Sequence, residues 1–92
     1  MKFIVGTHQY GVRDANIFIG QKVDQCTITL SDSTIDVDQM YEDIAPIVED
    51  GFTLAGDEYT GYKLDSIQKH YGEEYSYIVV SLNKQKEETE EE

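Results

Sequence analysis

Six apolar residues, Val37, Met40, Tyr41, Ile44, Ile47 and Val48, recur at i, i+3, i+4, i+7, i+10 and i+11. That spacing is the stripe of an amphipathic helix, and no other segment of the chain carries it so fully. One strong helix among short strand-like runs must lie on a sheet. Ser33 or Thr34 is positioned to be its N-cap, Asp36 and Asp38 suit the positive end of the helix dipole, and Gly51 suits a C-cap. Pro46 lacks a backbone donor and its ring clashes with the preceding turn. The helix is therefore expected to kink there, or to end near Ala45 and continue as a separate turn.

The strand signals surround it. Lys2 to Val5 reads as a short buried strand, Asn16 to Gly20 as a second, and Cys26 to Leu30 as a third with Cys26, Ile28 and Leu30 on one face. Gly6, Gly11 and Gly20 are candidate turn or bulge positions, and Gly6 to Gly11 reads as a hairpin connection. Phe52 to Ala55 suggests a fourth strand. Tyr75 to Leu82 is the strongest, with Tyr75, Tyr77 and Val79 on one face and Ser76, Ile78 and Val80 on the other. Leu64, Ile67 and Tyr71, stopped by Gly72, predict a second, shorter helix from Lys63 to Tyr71. Asn83 to Glu92 contains no apolar residue and is expected to be a disordered acidic tail. The expectation is one α+β domain over residues 1–82, with a mostly antiparallel, curled, barrel-like sheet of four to five strands and one principal amphipathic helix.

Cys26 is the only cysteine, so no disulfide can form within the chain. The apolar start, Phe3 to Val5, is too short for a signal peptide, and no run approaches the roughly 18 apolar residues of a membrane span. The expected location is the cytoplasm.

Charge is the outlier. Nineteen acidic and seven basic residues give a formal charge of −12 over 92 residues. A protein of this charge is repelled by nucleic acids and anionic membranes and attracted to basic proteins. The acid is segregated as well. From residue 23 to 62 there is no lysine or arginine, and ten carboxylates occur: Asp24, Asp32, Asp36, Asp38, Glu42, Asp43, Glu49, Asp50, Asp57 and Glu58. On a continuous helix, Asp38, Glu42 and Glu49 would form one row and Asp36, Asp43 and Asp50 another, clear of the apolar stripe. Duplex DNA about 30 Å long carries roughly 18 phosphates, about half of them facing one partner. About ten carboxylates on one side of a domain this size match that count.

Sites for chemistry are sparse. His8, His70 and Cys26 are the only zinc-type ligands apart from carboxylates and are scattered, against the four clustered ligands of a structural zinc site. The stretch from Asp32 to Asp43 lacks the central glycine and terminal glutamate of a calcium loop. There is no nucleophile elbow and no phosphate loop. The chain is expected to be no enzyme and to take no metal or cofactor. Tyr59 and Tyr62 flank Gly61 in a polar stretch, where they suit either the core or an interface.

In size, acidity and segregated charge, the chain resembles the small phage-encoded acidic proteins that mimic DNA. The resemblance is compositional, spans residues 23–62 and the tail, and carries no residue roles. It implies an inhibitor, a monomer or homodimer, of a basic nucleic-acid-binding protein such as an HU-type nucleoid protein, a nuclease or a restriction or defence protein, acting in the host cytoplasm. The expected partner surface is Asp36, Asp38, Glu42, Asp43, Glu49 and Asp50, rimmed by Asp32, Asp57 and Glu58. The alternative is an adaptor or enzyme inhibitor that binds through Tyr59 and Tyr62, with the charge steering association or serving solubility.

Overall fold

The computed structural model describes residues 1–31 and 35–85. Among the described residues, seven strands form one antiparallel sheet: β1 (Lys2–Val5), β2 (His8–Ile19), β3 (Val23–Leu30), β4 (Phe52–Leu54), β5 (Asp57–Tyr59), β6 (Lys63–His70) and β7 (Tyr77–Gln85). Their spatial order is β5-β4-β1-β2-β3-β7-β6. The sheet is not closed, because its outermost strands, β5 and β6, do not pair. The architecture is thus α+β with one α-helix, but the sheet has more strands than expected and is no barrel.

The expected helix forms as α1 (Val37–Ile44) and lies against β6 and β7. Asp36, not Ser33 or Thr34, is its N-cap: the Asp36 carboxylate accepts from the Gln39 backbone N–H at 2.8 Å. Residues 32–34 lie outside the described residues. The helix closes at Ala45, just before Pro46, and the chain continues through a turn into a 3-10 helix, Val48–Asp50. Gly51 follows that second turn, at φ 126°. Val37, Met40, Ile44 and Val48 are fully enclosed, while Tyr41, expected on the buried stripe, is 40% exposed. Beneath them lie Phe3, Val5 and Tyr10, the alternating rows Cys26, Ile28, Leu30 and Ile78, Val80, Leu82, and Phe52, Leu54 and Tyr62. Burying an aliphatic side chain of this kind stabilises the fold by roughly 1.5–3 kcal/mol. Cys26 serves as one of these apolar residues, and burial pushes its thiol up to about 11.

The second expected helix does not exist: residues 63–70 are the edge strand β6, paired with β7. A β-bulge explains the misleading pattern. Leu64 faces Leu82 and Ile67 faces Val80, with a register shift between Leu64 and Ser66. The extra residue brings two side chains three apart onto the same face, and so imitates helical spacing. β2 repeats the device between Val12 and Asp14, which sets Val12 against Leu30 and Ala15 against Ile28.

Turn chemistry joins the strands. Gly6 sits at φ 61° in the two-residue β1–β2 turn, and a Cβ built there would come 2.8 Å from Ile47 Cδ1. Ala55 and Gly56 both have positive φ between β4 and β5, as a tight hairpin turn requires. The last strand runs past Leu82: Asn83, Lys84 and Gln85 pair with Gln25, Asp24 and Val23. Residues 83–85, expected in the tail, thus belong to β7, and the rest of the expected tail, residues 86–92, lies outside the described residues.

Candidate functional site: an acidic surface

Because α1 stops at Ile44, the six acids expected on one helix are split between elements. Asp36 caps α1, Asp38, Glu42 and Asp43 ride on it, and Glu49 and Asp50 belong to the 3-10 helix. The two rows expected from a continuous helix do not form.

Four of the six are engaged within the protein. Asp36 holds the Gln39 N–H. Asp38 Oδ1 accepts from the Tyr71 hydroxyl at 2.7 Å and from Lys69 Nζ at 2.9 Å. These bonds, first from Tyr71 and then from Lys69, hold the Asp38 carboxyl below the usual carboxylate range. The same contacts push Lys69 and Tyr71 up, chiefly through Asp38. Lys69 also sits 5.0 Å above the Tyr41 ring.

Asp43 points to the opposite flank of α1. Its Oδ2 accepts from the Tyr10 hydroxyl at 3.1 Å, with His8 Nδ1 at 3.8 Å, and its Oδ1 accepts from Gln39 Nε2 at 2.9 Å. Glu49 accepts from the Leu64 backbone N–H at 2.8 Å, so a carboxylate bonds a backbone donor of the edge strand β6.

Glu42, Asp50, Asp57 and Glu58 are exposed and have no hydrogen bond or ion pair among the described residues. Asp50 and Glu58 also line one open cavity of about 220 Å³, together with Tyr59, Phe52 and Thr60. Asp32 lies outside the described residues.

The two tyrosines of the alternative surface are not free. Tyr62 is 5% exposed and belongs to the core, its ring 5.7 Å from Phe52. Tyr59 is half-buried, stacked on Phe52 at 5.3 Å and edge-on to Tyr62 at 6.1 Å. Burial is the first cause that pushes both phenols up. Only Tyr59, at the cavity, retains a face for a partner.

One surface escaped the sequence reading. Asn16 to Gly20 was expected to be a buried strand, yet Ile17, Phe18 and Ile19 are 39%, 64% and 65% exposed. Three consecutive apolar residues put apolar groups on both faces of a strand, and a sheet covered on one face cannot enclose both. That was the available signal.

Among the described residues, no three His, Cys, Asp or Glu side chains are grouped to hold a metal ion, and no helix is long and apolar enough to cross a membrane. No family model matches the chain, and neither a curated protein nor a solved structure matches it.

Proposed function

We propose that this protein is a non-enzymatic acidic inhibitor that occupies the nucleic-acid-binding surface of a basic protein. The observation that supports it is the free carboxylate set Glu42, Asp50, Asp57 and Glu58, within a stretch of forty residues that has no lysine or arginine. A fixed positive surface built for phosphates meets carboxylates that have no hydrogen bond or ion pair among the described residues. The cavity lined by Asp50, Glu58 and Tyr59 offers one long basic side chain of the partner an aromatic ring and two carboxylates. Asp36, Asp38, Asp43 and Glu49 add field to that surface but are committed to the fold.

The test is displacement. Labelled duplex DNA is bound to each of a panel of purified basic DNA-binding proteins, and this protein is titrated in. Release of the DNA is expected for its target, weakening steeply between about 50 mM and about 200 mM salt. The quadruple variant Glu42→Gln, Asp50→Asn, Asp57→Asn, Glu58→Gln should bind that target at least about tenfold more weakly at low salt. Binding that leaves the DNA in place, or that ignores both salt and the four substitutions, would sink the reading.

A further inference from the structure

Among the described residues, three lengths of strand edge lie at the margins of the open sheet, and two of them are defended. β5 is three residues long and carries Asp57 and Glu58. β6 carries Lys63 and Lys69, and Glu49 bonds its Leu64 N–H. Short strands, charge and side-chain covers are the usual protections against pairing with another chain. The third edge is the far half of β2. β1 accompanies β2 only over His8–Gly11, and the last backbone bond on that side joins the Val12 N–H to the Met1 carbonyl. From Asp14 to Ile19, β2 pairs with β3 on one side and with no described strand on the other.

Beyond Asp14, this edge has none of these protections. Ala15 to Ile19 contains no charge and no proline, and the bulge lies before it. Phe18 faces Gln25 on the outer side of the sheet, while Ile17 and Ile19 face Cys26 and Asp24 on the core side. Both faces of the edge are therefore apolar and exposed. About half of its peptide groups point outward, and a strand is the element that satisfies such a row of donors and acceptors.

We propose that the β2 edge, residues 14–19, is a self-association surface on which a second copy of this chain adds its own β2, antiparallel across a twofold axis. Charge argues against a basic partner, and what matches an uncharged stretch of strand that is apolar on both faces is the same stretch, Ala15 to Ile19, of a second copy. Residues 1–22 hold three basic residues and one acidic one, in a chain of −12, so a basic partner is drawn to residues 23–62 and not here. Pairing centred on Phe18 sets Ile17 opposite Ile19 of the second copy. Because β2 ends at Ile19 and the chain turns at residues 20–22, the paired residues are Ile17 to Ile19 of each copy. Such an interface buries apolar side chains on both faces and continues one sheet through two molecules.

Sedimentation equilibrium of the full chain tests this. The parent should pass from monomer to dimer with rising concentration. Phe18→Lys and Ile19→Lys should each shift the midpoint at least about tenfold toward higher concentration, with the circular dichroism spectrum unchanged. A parent that stays monomeric overturns the proposal. So does a dimer indifferent to both lysine variants. If one lysine variant does not fold, the other carries the same test.

Discussion

The acidic surface of residues 23–62 and the apolar edge of β2 differ in what they expose, and so in how they answer to salt. Carboxylates that attract a basic partner lose that attraction as ions screen them. Two chains of −12 that meet through uncharged strands repel one another, and the same ions relieve the repulsion. Partner binding should therefore weaken and self-association strengthen over one salt range. The comparison teaches that net charge does not describe every surface of this molecule, because the charge is gathered in one part of the chain. If both associations moved in the same direction with salt, the two surfaces would not be chemically separate.

The largest effect should separate the two isoleucines that represent these regions. Ile44 is fully enclosed on the inner face of α1, and Ile19 is 65% exposed on the β2 edge. Ile44→Ala leaves a cavity and should cost about 2–5 kcal/mol of unfolding free energy. Ile19→Ala, measured in dilute solution where the chain is monomeric, should cost less than about 1 kcal/mol. Urea denaturation measures both. Equal costs would mean that the β2 edge is already covered in the monomer.

A smaller effect should divide the acids themselves. Tyr10→Phe removes a hydroxyl that donates to Asp43 and should cost about 1 kcal/mol of stability. Glu42→Gln touches no bonded group and should stay within about 0.5 kcal/mol. Partner binding should follow the opposite order, with Glu42→Gln the more damaging of the two. From sequence alone, neutralising Asp43 or Glu49 is expected to relieve repulsion and help the helix. Their bonds to Tyr10 and to the Leu64 N–H make loss of stability the expected outcome instead. A higher melting temperature for Asp43→Asn would restore the repulsion account.

What the sequence disclosed depended on whether a local pattern kept its period. The α1 stripe, the stop before Pro46 and the alternation of Cys26, Ile28 and Leu30 obey one period throughout and were legible. β6 was not, because its bulge set Leu64 and Ile67 three apart on a single face. The long β2 was seen only as its last apolar residues, since Tyr10-Gly11-Val12-Arg13 spans a bulge and shows no clean alternation. For the site, the carboxylates could be counted from the sequence, but their commitments could not. Asp38 to Tyr71 and Asp43 to Tyr10 are bonds across 33 residues, and no local rule reaches that far. Tyr62 was ambiguous for the same reason, its burial resting on Phe52 and Tyr59.

The smallest effect concerns Asp38, which belongs to the acidic surface by position and to the fold by its bonds. Its carboxyl titrates below the usual range because the charged form accepts from Tyr71 and Lys69. A group whose pKa is depressed on folding stabilises the fold at pH values above its unfolded pKa, and that contribution fades as pH falls through the lower folded value. Lys69 and Tyr71 are shifted the other way, so what they add is present below their ordinary values and fades as pH rises through the raised ones. The three-residue cluster is thus fully formed across neutral pH and comes apart at both extremes. Following the Asp38 carboxyl carbon by NMR through an acid titration should give a midpoint below that of an ordinary aspartate. Tyr71→Phe should raise that midpoint more than Lys69→Met, because the tyrosine bond is the larger cause. All three side chains reach solvent, so the change in stability should be the least of those described here. An ordinary midpoint in the parent would return Asp38 to the free carboxylates, and the surface offered to a basic partner would then extend along α1 as far as β6.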